Sequence, residues 1–347
     1  MSSPVQHDDL KGFATRCYQA MGVGEHAAKI LADTLVQADL WGHQSHGVMR
    51  TFWYGERIRS GAIDLAVQPN CDSGLGAIAV MDGRNGLGQL VAHEAMAKAI
   101  SLSKTHGIGA IAVRNSGHFG TAMYYTRMAA QAGCIGFVST NASPAMAPWG
   151  GTEMRVGTNP WSWAAPAGKY PPMMLDIANT AVARGKLYLA RQRGEAIPEN
   201  WAIDQSGQVT TDPAAGIAGT ILPMAGHKGY AISTIMDVLA GVLSGSRFGA
   251  SVVGPYEPEG SSGVGHLVLA INIEACRPLG EFEADMESLI EELKDTPRRR
   301  EVDEIFYPGE MEARSEERLE KEGITLPADT ANQLRIEAEK LGVKAPF

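Results

Sequence analysis

Two glycine-flanked turns carry the histidines that are best suited to chemistry. They read Asn115-Ser116-Gly117-His118-Phe119-Gly120 and Gly42-His43-Gln44-Ser45-His46-Gly47. An imidazole titrates near neutral pH, so a histidine held in such a turn can accept a proton and return it. The alternative for His118 is a turn residue that satisfies backbone groups, and for the other turn a helix–helix connection capped by Ser45. The residues alone leave both interpretations open.

The turn at 42–47 is followed by a cation and a phenol. Arg50 comes four residues after His46, and its guanidinium can form a forked pair with a carboxylate. Tyr54 is spaced to share a helix face with Arg50. His43 and His46 could instead share a metal ion, but no cysteine is near them in the sequence. We therefore favour acid–base chemistry over a metal site.

Further polar groups lie where strands are expected to end or helices to begin. Ser143 lies in a loop rich in proline and glycine and could contact a ligand. Asp176 ends a strand, where a carboxylate can bind ribose hydroxyls or simply cap the next segment. Lys228 begins a helix, where a phosphate would be favoured, although a solvated lysine explains it equally.

Alternating strands and helices must position these residues. Hydrophobic patterning predicts strands near 77–81, 108–113, 135–140, 173–177, 267–273 and 301–306. It predicts helices over 8–60, interrupted at 42–47, and near 88–104, 121–131, 226–243, 281–295, 310–322 and 329–342. Residues 200–223 and 245–265 are expected to be loops. The alternation indicates a layered α/β core with ligands bound at strand ends.

Two short glycine motifs superficially match the dinucleotide fingerprint of the Rossmann fold. They are Gly74-Leu75-Gly76-Ala77-Ile78-Ala79 and Gly107-Ile108-Gly109-Ala110-Ile111-Ala112. The fingerprint requires a helix after the glycines, so that the pyrophosphate meets a helix N-terminus. Each match here leads directly into a predicted strand. If the chain binds a dinucleotide, we expect it to do so without that fold.

Composition limits the possible partners. The chain has 347 residues, 44% of them hydrophobic, and a net charge of −9. Residues 281–347 hold 19 of the 39 acidic side chains and 10 of the 30 basic ones, so the acidity belongs to C-terminal helices. No basic surface for nucleic acid is indicated, and no apolar run approaches the roughly 20 residues of a membrane helix. Four scattered cysteines and the lack of a signal-like N-terminus lead us to expect a cytoplasmic protein.

Seven sequence blocks, in order from about residue 8 to 342, resemble the malate/L-lactate dehydrogenase family of the non-Rossmann type. That family includes ureidoglycolate, sulfolactate and diketogulonate oxidoreductases and cyclic imino-acid reductases. The blocks are residues 42–48 with Arg50 and Tyr54, residues 115–120, 147–151, 157–160, 176–178 with 183–186, 226–230 and 308–310.

The resemblance implies hydride transfer between NAD(P) and a small 2-hydroxy or 2-oxo acid, malate-like or lactate-like. It also implies a sheet-based cofactor domain at 76–279 and a helical domain built from 1–75 and 280–347. Family members are typically homodimers with the active site near the subunit contact. The resemblance places the cofactor along Ser143, Asp176, Ile177, Ala178, His227, Lys228, Pro308, Gly309 and Glu310. The acid at 176 favours NAD over NADP by charge repulsion of a 2′-phosphate.

We assign roles by combining residue chemistry with the resemblance. Arg50 is expected to bind the substrate carboxylate, and His118 to act as the acid–base, with His46 as the second candidate. Ser45 and Tyr54 are expected to orient the substrate or the imidazole. Reduction of a cyclic imino acid, or oxidation of ureidoglycolate or sulfolactate, would use the same site. A metal-dependent hydrolase and a non-catalytic binding protein are the alternatives from other classes.

Overall fold

The computed structural model describes residues 3–347, with only the backbone described at 72 and 73. Its helices are α1 (His7–Ala20), α2 (Glu25–Leu40), α3 (Thr51–Arg59), α4 (Gly88–His106), α5 (Met123–Gln131), α6 (Arg184–Arg193), α7 (Pro213–Ala218), α8 (His227–Asp237), α9 (Leu279–Asp295), α10 (Glu310–Glu322) and α11 (Ala328–Leu341). Its strands are β1 (Asn70–Leu75), β2 (Ile78–Asp82), β3 (Ile108–Ser116), β4 (Cys134–Thr140), β5 (Pro144–Met146), β6 (Val156–Gly157), β7 (Trp161–Ala167), β8 (Tyr170–Ile177), β9 (Ala202–Ile203), β10 (Thr220–Ile221) and β11 (Val264–Asn272).

The largest sheet among the described residues has the strand order β1-β2-β3-β11-β4-β7-β8. Only β2 and β3 are parallel neighbours in it, and the other pairs are antiparallel. Its centre is apolar, since Ile111, Val113, Val138 and Val268 are fully buried. Helices α4 and α5 pack on this surface through alanines and aromatic side chains, as expected of a layered α/β protein.

Both rejected glycine motifs lead into strands, as predicted. Gly107 ends α4 with a left-handed φ of 81°, and the chain then enters β3 directly. Gly76, with φ 58°, lies in the turn between β1 and β2. Neither motif is followed by a helix, so neither can present amide groups to a pyrophosphate in the Rossmann manner.

A helical layer joins residues from both ends of the chain. Buried side chains of α1 and α2 share one core with Ile324, Leu326 and Leu334 from the C-terminal segment. Helix α9 lies elsewhere, because its buried Ile290 packs with Ala167 and Tyr307 beside β7 and β8. Within residues 3–347, no helix combines the length and hydropathy needed to cross a bilayer.

The strand predicted at 301–306 is wrong. That segment is irregular, with Glu301 at φ 66°, and the Lys294 ammonium donates to Ile305 O at 3.3 Å. A strand requires a neighbouring backbone, and here side chains satisfy the segment instead. The expected loop at 200–223 contains α7, whose Asp212 cap and Pro213 are ordinary helix-start signals.

Candidate active site

The turn after α2 is held by a buried carboxylate. Asp39 is 1% exposed, and its Oδ2 accepts a hydrogen bond from Val48 N at 2.8 Å. A Cβ at Gly47 would lie 1.9 Å from Asp39 Oδ1, so only glycine fits there. Burial raises the pKa of Asp39 to about 8, although the Val48 N–H favours its charged form. Asp39 thus determines the path of the chain from His43 to Arg50.

This turn presents Ser45, His46 and Arg50 together. Ser45 Oγ lies 2.9 Å from His46 Nδ1, and Arg50 Nε donates to Ser45 O at 2.6 Å. The Arg50 guanidinium lies 4.1 Å above the centre of the Trp53 ring. Its Nη1 is buried and has no hydrogen-bond partner among the described residues. A buried, unsatisfied cationic donor is costly, so this atom is ready to receive an anion.

The second turn brings His118 to the same place. Tyr54 OH lies 2.6 Å from His118 Nδ1, across 64 residues of sequence. The rings of His46 and His118 stack with centroids 5.6 Å apart. Gly120 N also donates to His118 Nδ1, at 3.3 Å. If Nδ1 carries the proton it donates to the Tyr54 hydroxyl and Nε2 is free to accept another, whereas an unprotonated Nδ1 accepts from both Tyr54 and Gly120.

Both imidazoles favour the neutral form. The pKa of His118 lies well below its ordinary value, because burial and then the charge of Arg50 disfavour protonation, with His46 and His266 adding to the effect. Burial, Arg50 and His43 lower the pKa of His46 to about 3. Burial also lowers the pKa of Arg50, while the Tyr54 and Tyr256 hydroxyls favour its charged form. An anion bound on Arg50 would remove part of the barrier to protonating His118.

Ser143 is better placed for ligand contact than its neighbour Asn141. The Asn141 side chain is buried and bonded to Asp237 Oδ1, to Arg247 O and to Gly265 N. Ser143 Oγ instead lies 3.1 Å from the hydroxyl of Tyr256, on a partly exposed surface. Asn141 therefore joins the end of β4 to α8 and β11, and Ser143 takes no part in that junction.

Asp176 has a structural partner. Its Oδ2 accepts from Met123 N at 2.9 Å, which satisfies the start of α5. Burial raises the pKa of Asp176 to about 6, and the Met123 N–H opposes this effect. The capping alternative is therefore observed at Asp176. Ile177 ends β8, and the exposed Ala178 follows it.

His227 and Lys228 form the first turn of α8, and both are exposed. Gly226 before them has a φ of 64°, and a Cβ there would approach the Trp149 ring. The exposed Trp149 ring lies 6.1 Å from that of His227. An exposed lysine at a helix N-terminus is a suitable environment for a phosphate.

The turn at 308–310 packs on β8. Pro308 O accepts from Met174 N at 2.9 Å, and Gly309 has a φ of 90°. The Glu310 carboxylate is bonded to Lys294 and Arg314, each at 2.7 Å. Its charge is therefore already balanced within the protein. Pro308 and Gly309 remain beside the strand that ends at Asp176 and Ile177.

Three site residues were not identified from the sequence. Trp53 supports Arg50, Asp39 supports the first turn, and Tyr256 reaches Ser143 from the loop at 245–263. The helical spacing of Trp53 from Arg50 was a usable signal, but Tyr256 has none in its local sequence. No group of three or more histidines, cysteines or acids in the described part of the chain is arranged to hold a metal ion.

Comparison with known proteins identifies the family of this chain. A family model described as malate/L-lactate dehydrogenase matches residues 5–335. A malate dehydrogenase of Pyrococcus abyssi is 39% identical over 98% of this chain and 95% of its own length. The solved structure of sulfolactate dehydrogenase from Methanocaldococcus jannaschii superposes with a TM-score of 0.93 at 36% identity, covering 98% of each chain.

Relatives whose names state a cofactor include both kinds. A (2R)-3-sulfolactate dehydrogenase (NADP(+)) of Chromohalobacter salexigens is 36% identical over 78% of this chain and 82% of its own length. A ureidoglycolate dehydrogenase (NAD(+)) of Escherichia coli K12 is 33% identical over 90% of this chain and 89% of its own length. The prediction of a dehydrogenase that acts on a CH–OH group is confirmed. The chain belongs to the malate/L-lactate dehydrogenase family.

Proposed function

We propose that this chain transfers a hydride between NAD(P) and a small 2-hydroxy or 2-oxo acid. The observation that carries the proposal is the buried, unsatisfied Nη1 of Arg50 beside two neutral imidazoles. A carboxylate would satisfy that donor, and a substrate held there would bring its neighbouring carbon and oxygen towards the imidazoles. This combination of a cation and proton acceptors suits a 2-hydroxy acid.

In the proposed mechanism, Arg50 binds the carboxylate and His118 exchanges the proton of the substrate oxygen. During oxidation His118 accepts the hydroxyl proton, and during reduction it returns one. The Tyr54 hydroxyl, 2.6 Å from His118 Nδ1, holds the ring in place. His46 is the alternative acid–base, and its ring is oriented by Ser45, whose Oγ lies 2.9 Å from His46 Nδ1. A bound nicotinamide would supply or accept the hydride.

The residues at the strand ends fit a dinucleotide in charge and exposure. Lys228 and the first turn of α8 would contact the phosphates of the dinucleotide. The rest of the dinucleotide would lie along Ser143, Ile177 and Ala178, with His227, Pro308 and Gly309 nearby. The strand order supports cofactor binding of a non-Rossmann kind, because the sheet has a single parallel pair among its described strands. Asp176 caps α5 through one oxygen and keeps its charge, which would still repel a 2′-phosphate, so we favour NAD over NADP.

We also propose a homodimer and a division into two parts. Ile235, Val238 and Val242 are each at least 43% exposed and lie along one face of α8 and of the π-helix at Val238–Val242 that continues it. A second copy of the chain would cover such an apolar face. Sedimentation of the wild type and of Val238→Arg tests the dimer, since an unchanged mass of the variant would contradict this contact.

The second part of this proposal concerns the domains. The helical domain would contain residues 1–75 and most of the C-terminal segment, whereas α9 packs with the sheet and would belong to the cofactor domain. The cytoplasmic location stays a prediction.

A substrate panel tests the proposed activity. Malate-type, lactate-type and sulfolactate-type 2-oxo acids and cyclic imino acids would each be offered with NADH and with NADPH. We expect loss of reduced-nicotinamide absorbance with at least one 2-oxo acid, and no effect of a metal chelator. Turnover restricted to cyclic imino acids would instead assign the chain to the cyclic imino-acid reductases of the family. Absence of all turnover, or abolition by chelator, would contradict the proposal.

A further inference from the structure

The loop at 254–262 lies against α3, the helix that follows Arg50. Arg57 is 3% exposed and donates to Glu257 O, to Gly260 O at 2.9 Å and to Ser262 Oγ at 2.9 Å. Ser60 Oγ donates to Pro258 O at 2.5 Å. A single arginine therefore ties three points of the loop to α3. These bonds determine where the loop places its aromatic residue, Tyr256.

Arg57 occupies the same helical face as Arg50 and Tyr54. Arg57 donates to two backbone carbonyls and one hydroxyl. Its bonds to residues 257 and 260 therefore depend on the backbone path of the loop and not on the side chains at those positions. Burial lowers the pKa of Arg57, and the Glu257 carboxylate opposes this effect. A buried cation satisfied by one loop gives that loop a defined position.

Tyr256 packs against Trp53, the residue on which Arg50 stacks. Its ring meets the Trp53 ring edge-on at 5.9 Å, and Trp53 stacks on Arg50 at 4.1 Å. Its hydroxyl lies 3.1 Å from Ser143 Oγ and close enough to Arg50 to favour the charged guanidinium. Yet Tyr256 is 56% exposed, so it contributes little to the core. An exposed tyrosine near an unsatisfied arginine is better explained by ligand contact than by packing.

We propose that Tyr256 is a further substrate-binding residue, whose hydroxyl donates to the carboxylate held by Arg50, and that Arg57 is the positioning residue for its loop. The inference rests on the proposed function. In this proposal two groups bind the substrate carboxylate: the Arg50 guanidinium, just before α3, and the Tyr256 phenol of the loop at 254–262. Ser143, at hydrogen-bond distance from the same hydroxyl, orients Tyr256 before substrate binds.

The first test is Tyr256→Phe in the full-length protein, with the 2-oxo acid that the wild type reduces fastest. We expect KM for that acid to rise about tenfold, because a hydrogen bond to a charged group is lost, while kcat changes little. The dissociation constant of the reduced cofactor should change much less than KM, because Tyr256 reaches the proposed cofactor contacts only through Ser143, and the thermal midpoint should stay the same. An unchanged KM would overturn the inference.

The second test removes the anchor and leaves the phenol. Arg57→Met should raise KM in the same direction and expose residues 254–262 to protease, and Arg57→Lys should restore part of the effect. Arg59→Met is the matched control, since Arg59 pairs with Glu337 of α11, which is not part of the loop. In the double variant of Tyr256→Phe and Arg57→Met, the KM effects should be less than multiplicative. Multiplicative effects, or an equal KM change in Arg59→Met, would count against positioning by Arg57.

The outcomes separate this inference from the proposed function. If Arg50→Met raises KM and Tyr256→Phe does not, the function stands and Tyr256 is not a substrate residue. If the wild type reduces no 2-oxo acid with either cofactor, both proposals fail together.

Discussion

Arg50 and His118 affect each other through charge. The uncompensated guanidinium helps keep His118 neutral, and a substrate carboxylate would relieve that effect. Substrate binding would therefore make His118 a better proton acceptor at the moment when a proton must move. A histidine that holds its proton only when substrate is present suits acid–base catalysis near neutral pH.

Replacing His118 by Ala should lower kcat by about 10²- to 10⁴-fold, the usual contribution of a general acid–base. Cofactor affinity should be preserved, because the proposed cofactor contacts lie elsewhere. Steady-state kinetics and a fluorescence titration with reduced cofactor measure the two effects. If His118→Ala keeps near-normal turnover and His46→Ala loses it, the two histidines have exchanged roles.

Replacing Arg50 by Met should raise KM for the 2-oxo acid by about 30-fold or more, because a desolvated charge pair is lost. Arg50→Lys should fall between this variant and the wild type, since an ammonium keeps the charge and loses the fork. Initial rates over a range of substrate concentrations give both constants. An unchanged KM with every acid that the wild type reduces would exclude a carboxylate contact at Arg50.

At the scale of elements, one turn and one helix carry most of the proposed substrate site. The turn between α2 and α3 supplies Ser45, His46 and Arg50, and α3 supplies Tyr54 and Arg57. The face shared by Arg50 and Tyr54 was predicted from helical spacing. Asp39 explains why the turn has its shape, because its carboxylate occupies the space beside Gly47 and accepts the Val48 N–H.

Gly47→Ala should therefore damage both stability and activity. The new methyl group would overlap the Asp39 carboxylate, and we expect a loss of about 2–5 kcal/mol in the free energy of unfolding from overpacking and a broken hydrogen bond. Gly280→Ala in α9 is the matched control, since a Cβ there meets nothing within 4 Å. Urea unfolding of both variants measures the difference. Equal stability of the two would show that the turn adapts to a side chain.

For the whole molecule, buried acids and buried histidines give opposite dependences of stability on pH. The folded pKa of Asp39 is about 8, above its unfolded value, so folding retains a proton there and this stabilisation is lost as pH rises towards 8. Burial lowers the pKa values of His46 and His266 to about 3, so these neutral histidines increase the free energy of unfolding as pH rises to 6.5. The folded pKa of Asp176 is raised to about 6, so Asp176 decreases the free energy of unfolding with rising pH, but only up to about pH 6.

Stability should consequently be greatest near pH 6.5 and decline towards pH 8, by about 1.4 kcal/mol per pH unit if Asp39 alone titrates there. Asp39→Asn keeps an acceptor for Val48 N–H and removes the titration, so its stability should be flat over this interval. Urea unfolding at several pH values from 6 to 8.5 checks the slope. A decline of equal slope in Asp39→Asn would assign it to another group.

The sequence by itself determined the local features. β-branched runs and helical periodicity located β3, β4, α4 and the C-terminal helices, because burial patterns recur at the period of the backbone. Glycine-flanked turns marked His46 and His118 as candidates, and spacing placed Arg50 and Tyr54 on one face. The strand that hydrophobic patterning predicted at 301–306 is wrong, since a strand depends on a neighbouring backbone that no local pattern reveals.

Only the tertiary structure decided which of these features meet. Three contacts join distant segments: that of Tyr54 with His118, the cap that Asp176 provides to α5, and the approach of Tyr256 to Ser143. The position of β11 between β3 and β4 is likewise set by pairing across the sheet. Such contacts arise from many weak packing and hydrogen-bond terms summed over the whole chain, so no short stretch of sequence specifies them.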